Sequence, residues 1–309
     1  MPKVSVVMPV FNREHYVREA IESILAQDFE DFEFIIVDDG STDSTIEVVS
    51  GYSDPRIRLI EMPVNCGVST ARNVGLRAAR SEYIAVMDSD DAALQQRLSK
   101  QIAYLEAHPE IDILACRAIK VMGSQKIPMN HVTNDAEIKA RLLGMDGSAM
   151  IHPTTMMRAK FLTENRILYP SRTVDEDHGL WIAAMVAGGK FASLEDHLFL
   201  YRRHASNITE QDQKQFQQEK TPLRTELLRL FYPALSGDEV YAIAVLMNPF
   251  SQLSLRNASD GVRAAFKAIQ YNDPVFGESR PYLNTLIGST AKRVITALEK
   301  SRPLRQGTQ

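Results

Sequence analysis

The chain of 309 residues is 44% hydrophobic and 24% charged, with a formal net charge of -4 at pH 7. This composition is typical of a globular protein with one large domain or two modest ones, and the charge gives no general attraction to nucleic acid. The two cysteines exclude a disulfide framework and a thiolate zinc site. The sequence has no apolar signal region and no run of about 18 apolar residues. Together with the low cysteine content, these features predict a cytoplasmic protein.

The first predicted elements are a strand, a helix and a second strand. Residues 4–11 are a continuous apolar run, residues 13–27 carry apolar side chains at helical spacing, and residues 32–37 are a second apolar run. Such a unit is right-handed, and its two parallel strands end at the same edge of a sheet. Asp38 and Asp39 directly follow the second strand, so we expect them at that edge.

A third strand, over residues 57–62, leads into a turn and a helix. Asn65 and Gly67 are typical turn residues, and Arg72 and Asn73 fall in the first turns of the helix that follows. A cation and an amide beside the N–H groups of a helix N-terminus suit a diphosphate. The alternative interpretation is a solvated helix start.

A fourth strand, over residues 83–87, ends in three carboxylates. Asp88, Asp90 and Asp91 are so close in sequence that they repel one another unless a cation lies among them or water solvates them. Ligands of α/β sheets bind at the carboxyl edge of the strands, so the pattern favours a ligand site. A polar turn followed by a helix N-cap is the alternative.

The middle of the chain alternates between helix and strand patterns. A helix, a strand, a short helix and a strand are predicted over residues 92–106, 111–122, 134–143 and 148–158. His152, in the last of these segments, either contacts a substrate or has a structural role before Pro153.

A second acidic cluster, Asp175, Glu176 and Asp177, precedes apolar side chains at helical spacing. These acids therefore lie at a helix N-terminus, where carboxylates interact favourably with the helix dipole. Such capping is one interpretation, and a catalytic role is the other. Neighbouring negative charges raise the pKa of a carboxyl group, which suits a general base.

The last predicted strand, over residues 191–203, is followed by His204, for which a ligand role and a surface-loop position both remain open. Helices are predicted beyond it, over residues 223–231, 238–246, 261–271 and 282–300. The last helix has an apolar face with basic side chains nearby. It is expected to pack against the rest of the chain, to pair in a homo-oligomer, or to contact the inner face of the cell membrane.

Taken together, these segments resemble the family 2 glycosyltransferases with a GT-A (nucleotide-diphospho-sugar transferase) fold, over about the first 120 residues. The motifs that carry the resemblance are PVFN at residues 9–12, DDGSTD at 38–43, NCG at 65–67, ARNVG at 71–75 and DSDD at 88–91. The family implies an α/β fold with a Rossmann-like, mostly parallel sheet flanked by helices. The implied domains are a catalytic domain over residues 1–206, with a donor half (1–120) and an acceptor half (121–206), and a helical region over residues 207–309.

The resemblance implies roles for residues of the donor half. Asp39 would hold the nucleotide base and Asp88 the ribose, while Asp90, Asp88 and His204 would hold Mn²⁺ or Mg²⁺ on the diphosphate. Asp91 has no assigned role, because family members differ in which of the last acids touches the ion. The other residues expected at the donor are Pro9, Phe11, Asn12, Asn65, Gly67, Arg72, Asn73 and Ser89.

On the acceptor side, the family's ED segment corresponds to Glu176 and Asp177. The resemblance implies that Asp177 is the catalytic base that deprotonates an acceptor hydroxyl, and that Glu176 and His152 contact the acceptor.

The reaction implied by the resemblance is an inverting, metal-dependent transfer of a hexosyl or N-acetylhexosaminyl group. The expected donor is a UDP-sugar, and the expected acceptor is a glycan or lipid-linked oligosaccharide of bacterial surface polysaccharide synthesis. A non-catalytic nucleotide-sugar-binding subunit would keep the donor half and lose the base. A phosphoacceptor signalling domain would lack the ARNVG motif and the second acidic cluster.

Overall fold

The computed structural model describes residues 1–145, 149–171, 175–204, 213–248, 253–270 and 276–300. Its strands are β1 (Val4–Val10), β2 (Phe32–Asp38), β3 (Ile57–Glu61), β4 (Tyr83–Val86), β5 (Ala92–Ala93), β6 (Ile113–Met122), β7 (Gln125–Met129), β8 (Met156–Arg158) and β9 (Phe191–Arg202). Its α-helices are α1 (Val17–Leu25), α2 (Thr45–Ser50), α3 (Val68–Ala78), α4 (Arg97–Ala107), α5 (Asp135–Leu142), α6 (Ala159–Glu164), α7 (Glu176–Val186), α8 (Gln213–Phe231), α9 (Gly237–Leu246), α10 (Leu255–Gln270) and α11 (Arg280–Lys300).

The strands form one mixed sheet in the order β3-β2-β1-β4-β8-β6-β9-β5, with β7 paired to β6. Strands β3, β2, β1 and β4 are parallel, whereas β8 runs antiparallel to both β4 and β6. Strands β2 and β4 lie on either side of β1, so the chain reverses its direction of winding there. The loops after these strands open at the same edge, where α/β folds bind ligands.

Helices cover both faces of the parallel half of the sheet. Alternate residues of β2 point to opposite sides: Phe34 and Ile36 pack in the larger core with Ile21 of α1 and Leu98 of α4. The intervening residues, Ile35 and Val37, pack in a smaller core with Ala71 of α3. Strands β1 and β2 are buried throughout, which explains their mostly apolar sequence; the hydroxyl of the buried Ser5 donates to the carboxylate of Glu33 at 2.7 Å.

The helix predicted over residues 13–27 is limited to α1, and two elements in the middle of the chain are also markedly shorter than predicted. The helix predicted over residues 92–106 begins only at Arg97, because Ala92 and Ala93 pair with β9 as the short strand β5.

The strand predicted over residues 148–158 is reduced to β8. The 3₁₀ turn His152–Thr154 precedes it, and the hydroxyl groups of Thr154 and Thr155 donate to the carbonyls of Ile151 and His152 at 2.7 and 2.8 Å. These side-chain bonds offer the backbone an alternative to strand pairing.

The chain divides into two compact units: residues 1–138 with 147–211, and residues 139–146 with 212–309. In the second unit, the buried side chain of Arg224 donates to the carbonyls of Leu143 and Gly144, and Lys220 donates to that of Met145. Helix α8 thereby holds residues 143–145. No helix within the described residues is long and apolar enough to cross a membrane.

Candidate active site

Asp39 follows β2 and holds the turn that precedes α3. Its side chain is buried, and its carboxylate oxygens accept hydrogen bonds from the backbone N–H groups of Cys66 and Gly67, at 2.7 and 2.9 Å. Gly40 allows the turn to approach, because a Cβ there would lie 2.8 Å from the backbone nitrogen of the exposed Asn65. The carboxylate of Asp39 is thus fixed, and each oxygen keeps a second lone pair for a ligand.

The loop after β1 is tied to the loop after β2 by Asn12. The side-chain oxygen of Asn12 accepts from the backbone N–H of Thr42 at 2.8 Å, and the Asn12 N–H donates to the hydroxyl of Ser41 at 3.0 Å. Pro9 is buried in β1, whereas Phe11 is 38% exposed. Among these three predicted donor residues, Pro9 is part of the strand, Asn12 joins the two loops and Phe11 presents an accessible aromatic ring.

Arg72 joins the two acidic clusters. Its Nη2 donates to Oδ1 of Asp88 at 2.8 Å, and its Nη1 donates to Oε1 of Glu176. The side chain is buried, and its guanidinium carbon lies 5.5 Å from the centre of the Tyr169 ring. Sequence alone predicts that Arg72 faces a diphosphate, but in the structure its guanidinium lies between two carboxylates.

Asp90 lies among basic and aromatic side chains. Its Oδ2 is 3.1 Å from Nε2 of His204 and accepts from Nε of Arg13 at 3.3 Å. The ring of His204 stacks on Tyr16, with centroids 4.3 Å apart. Burial and the charge of Asp88 raise the pKa of Asp90, despite the opposing effect of Arg13 and His204.

Asp91 binds the backbone at the end of β9. It is buried, and its Oδ1 accepts from the backbone N–H of Arg202 at 2.7 Å. Burial and the charge of Asp90 raise the pKa of Asp91 well above its ordinary value. Asp91 therefore fixes the end of β9 two residues before His204, and the neighbouring Ser89 is likewise buried.

Asn73 and His152 both hold Tyr169 in place. The side-chain amide of Asn73 donates to the carbonyl of Tyr169 at 2.8 Å and accepts from its N–H at 2.9 Å. The Tyr169 hydroxyl shares a hydrogen bond of 2.7 Å with Nε2 of His152, whose ring packs against Trp181. Burial lowers the pKa of His152, so this ring is neutral. These contacts favour the structural interpretation of His152.

The first turn of α7 places two acids around His178. Oδ1 of Asp177 accepts from the N–H of His178 at 2.8 Å and lies 3.2 Å from its Nδ1, while Oδ1 of Asp175 lies 3.6 Å from the same nitrogen. The expectation of a raised pKa at Asp177 is wrong. Burial raises that pKa and is the largest single cause, but the charge and the hydrogen bond of His178 together with the charge of Arg72 outweigh it and hold the pKa of Asp177 below its ordinary value. The raised pKa belongs to Glu176, through burial and the charge of Asp177.

The side chains around Asp90 fit a divalent cation. Its carboxylate and the imidazole of His204 are already in contact, and both are donors that Mn²⁺ accepts. Burial and the charge of Asp88 raise the pKa of Asp90, and a bound cation would oppose both effects by stabilising the ionised carboxylate. Asp88, the third predicted ligand, is held by Arg72.

A different set of metal-ligand side chains lies in the first turn of α7. Asp175, Asp177 and His178 place their donor atoms within 4.8 Å of one another. Among the described residues, this is the group of three potential metal ligands that meets this distance. The imidazole of His178 already lies between the two carboxylates there, so their charges are partly compensated.

Some of the buried polar atoms that lack a hydrogen-bond partner lie near this sheet edge, and others lie elsewhere, for example in Ser81 and Asn284. In the part of the chain that the structure describes, those near the edge include Oδ1 of Asp38, Nε of Arg72, Oδ2 of Asp91 and Nδ1 of His152. Each such atom costs roughly 1–3 kcal/mol. A bound ligand or water is one way in which such groups are satisfied.

Sequence reasoning missed four side chains of this site. Arg13 directly follows the PVFN motif and contacts Asp90, and Tyr16 lies three residues later and stacks on His204. His178 directly follows the acids that it contacts. Adjacency to a motif was the available signal for these three. For Tyr169, whose ring and backbone meet residues far away in sequence, the sequence offers no signal.

Comparison with known proteins agrees with this architecture. Residues 5–166 match the family model described as "Glycosyl transferase family 2". The uncharacterized glycosyltransferase MJ1057 of Methanocaldococcus jannaschii is 33% identical over 207 residues, which cover 65% of this chain and 71% of that protein. The poly(ribitol-phosphate) beta-N-acetylglucosaminyltransferase TarS of Staphylococcus aureus is 29% identical over 206 residues, which cover 65% of this chain and 35% of TarS.

Solved structures give the same result for the fold. TarS residues 1–349 in complex with UDP-GlcNAc match with a TM-score of 0.67 at 22% identity, covering 98% of this chain and 93% of that one. The mannosyltransferase PcManGT of Pyrobaculum calidifontis, in complex with GDP-Man and Mn²⁺, matches with a TM-score of 0.54 at 17% identity, covering 98% and 76%.

The sheet with its acidic edge and these matches define a glycosyltransferase with a GT-A fold. The predictions of the fold class and of a family 2 resemblance are thereby confirmed. The chain belongs to glycosyl transferase family 2.

Proposed function

We propose that the chain transfers a sugar from a UDP-sugar to an acceptor hydroxyl, with inversion at the anomeric carbon. The observation that carries this proposal is the meeting of two acidic clusters through one buried arginine. Asp88, after β4, and Glu176, at the start of α7, both contact Arg72, so a donor edge and a second set of acids adjoin. A single-displacement transferase requires these two sets of groups on opposite sides of one sugar.

The donor edge offers a separate partner for each part of a nucleotide sugar. Asp39 would accept a hydrogen bond from the base, since its carboxylate is fixed by two backbone N–H groups. Asp88 would face the ribose. Asp90 and His204 would hold Mn²⁺ or Mg²⁺, whose charge stabilises the diphosphate as it leaves. The choice of UDP is supported by TarS, whose structure was determined with UDP-GlcNAc.

Asp177 would remove the proton from the acceptor hydroxyl. Its lowered pKa keeps it ionised at neutral pH, so it is ready to accept a proton. A carboxylate of low pKa is a weak base, and an unactivated alcohol holds its proton strongly. We therefore infer that the proton moves late, once the bond to the anomeric carbon has begun to form and the hydroxyl has become more acidic.

The acceptor would be a sugar hydroxyl of a glycan or of a lipid-linked oligosaccharide in bacterial surface polysaccharide synthesis. This proposal is supported by the name of TarS, which acts on poly(ribitol-phosphate). The group transferred would be a hexosyl or N-acetylhexosaminyl residue, again as that name suggests.

The test is a transfer assay on the purified chain. UDP-sugars are supplied with Mn²⁺ and a panel of glycan acceptors, and UDP release and labelled product are measured with and without acceptor. We expect acceptor-dependent UDP release for one donor. Tight UDP-sugar binding without hydrolysis or transfer would instead indicate a binding subunit and would contradict the proposal.

A further inference from the structure

Arg72 is the point at which three parts of the candidate site meet. It extends from α3 and contacts Asp88, which follows β4, and Glu176, the first residue of α7. The two carboxylates are 88 positions apart in the sequence, and the side chain of Arg72 is only 7% exposed. The buried guanidinium therefore joins the donor edge to the helix that carries Asp177.

The chemistry of this bridge requires arginine. The guanidinium binds each carboxylate through a separate nitrogen: Nη2 donates to Asp88 and Nη1 donates to Glu176. A planar group with several fixed N–H donors can hold two carboxylates at once. A lysine would offer one ammonium group in their place. Without any cation, Asp88 and Glu176 would be two partly buried negative charges near each other, and such pairs repel.

The neighbouring residue supports the same connection. Asn73 binds both backbone groups of Tyr169, at 2.8 and 2.9 Å, and the Tyr169 ring lies under the guanidinium of Arg72. Tyr169 belongs to the segment that leads toward α7. Consecutive residues of α3 thus hold that segment and the first residue of α7.

We propose that Arg72 is a positioning residue, which holds the first turn of α7, and with it Asp177, at a fixed place beside the donor edge. The inference rests on the proposed function, because it gives Asp177 its purpose. Arg72 acts through Asp88 and Glu176 and need not touch the sugar. Its loss should therefore misplace the base without removing the groups that bind the nucleotide.

The experiment compares Arg72→Met and Arg72→Lys with Arg77→Met, a matched control at an exposed position of α3. For both Arg72 variants we expect kcat to fall about 10- to 100-fold, since a misplacement of about 1 Å has that effect. The Kd for UDP should stay within about threefold, because base and diphosphate contacts remain. Amide hydrogen exchange in residues 176–180 should become faster, while exchange in β1 and β2 stays unchanged. Arg77→Met should match the wild type in every measurement.

A double-mutant cycle with Glu176→Gln shows whether the bridge itself is responsible. If Arg72 acts through Glu176, Arg72→Met should lower kcat much less in the Glu176→Gln background than in the wild type. Full additivity would overturn the inference. A Kd for UDP that rises in step with the loss of kcat would also overturn the inference, because Arg72 would then bind the nucleotide directly. If Arg72→Met unfolds, Arg72→Lys and the Glu176→Gln arm provide the same comparisons.

Asp177→Asn in the same assay separates this inference from the proposed function. If Asp177→Asn transfers at the wild-type rate, the assignment of the base has failed. If Asp177→Asn is slow but Arg72→Met keeps both its kcat and the slow exchange of α7, the positioning role has failed.

Discussion

At the scale of single residues, the site works by compensating charges that the sequence places too close together. The acids have basic partners in three groups: Arg72 for both Asp88 and Glu176, Arg13 and His204 for Asp90, and His178 for Asp177. These partners separate the acids into groups with different protonation behaviour. Asp90 has a raised pKa and Asp177 a lowered one.

Replacing His178 should change the pH dependence of the reaction. Because the folded-state pKa of Asp177 is lowered, its ionised form stabilises the fold above the ordinary pKa of 3.8, and that contribution is lost as the pH falls through the lowered value. His178→Gln removes the positive charge that lowers this pKa, so the pKa should rise. We expect the acid limb of kcat/KM to move to higher pH, measured at saturating Mn²⁺.

His15→Gln is the matched control, because the side chain of His15 is 82% exposed. Its pH profile should superimpose on that of the wild type. If the His178→Gln profile also superimposes, then Asp177 is not the group that limits the rate at low pH.

Asp90 should determine whether metal strengthens UDP binding. In the proposed site, a cation neutralises both Asp90 and the diphosphate, so UDP should bind more tightly with Mn²⁺ than without it. Asp90→Ala should remove that gain, as measured by titration calorimetry with and without the ion. Asp54→Ala, at a carboxylate paired with Arg56, should retain it. Equal UDP affinity with and without metal in the wild type would contradict this role.

At the scale of elements, α3 lies so close to the sheet that one position must be glycine. A Cβ on Gly75 would be 2.3 Å from Cγ1 of Val7 in β1, closer than carbon atoms approach. Gly75→Ala should therefore lower the free energy of unfolding by about 1–3 kcal/mol, through overpacking. Urea unfolding measures this. Gly51→Ala is the control, since a Cβ there meets only ordinary contacts at 3.4 Å, and equal stability of the two variants would contradict this account of the packing.

The sequence predicts those elements whose signal is local. Strands β1, β2 and β4 are apolar runs that end in polar residues, so both their existence and the placement of Asp39 and Asp88 follow from the pattern. Strand β5 could not be predicted, because Ala92 and Ala93 become a strand only by pairing with β9, more than 100 residues later.

The candidate site shows the same division between local and distant contacts. Which residue types gather at the edge could be predicted from the motifs. Which pairs form could not: Arg72 reaches Glu176 across 104 positions, and His204 reaches Asp90 across 114. The direction of the pKa shift at Asp177 also depends on the close approach of the His178 imidazole and of Arg72, which spacing does not determine.

At the scale of the whole molecule, charge is divided unevenly along the chain. Residues 213–309 contain 13 Lys and Arg against 8 Asp and Glu, whereas residues 1–212 contain 22 against 31. The C-terminal helices thus carry a net positive charge in a chain that is negative overall. Clustered basic side chains on such helices are attracted to anionic lipid.

Contact with a membrane stays a prediction, and lipid vesicles test it. Vesicles with anionic lipid should retain the protein, and salt should release it, because screening weakens the attraction. Lys292→Glu with Arg293→Glu reverses two exposed charges of α11 and should lower retention while UDP binding stays unchanged. Vesicles of zwitterionic lipid serve as the control. Equal retention on both kinds of vesicle would contradict an electrostatic contact.

The central claim is that Asp177 acts on the acceptor in the transition state while the acids after β2 and β4 bind the donor. The most direct test is Asp177→Asn, which keeps the size of the side chain and removes its basicity. We expect UDP-sugar affinity within a few-fold of wild type and a transfer rate lower by about 10²–10⁴, the usual range for loss of a general base. A near wild-type transfer rate at saturating donor and acceptor would contradict the claim and reduce Asp177 to a helix-capping residue.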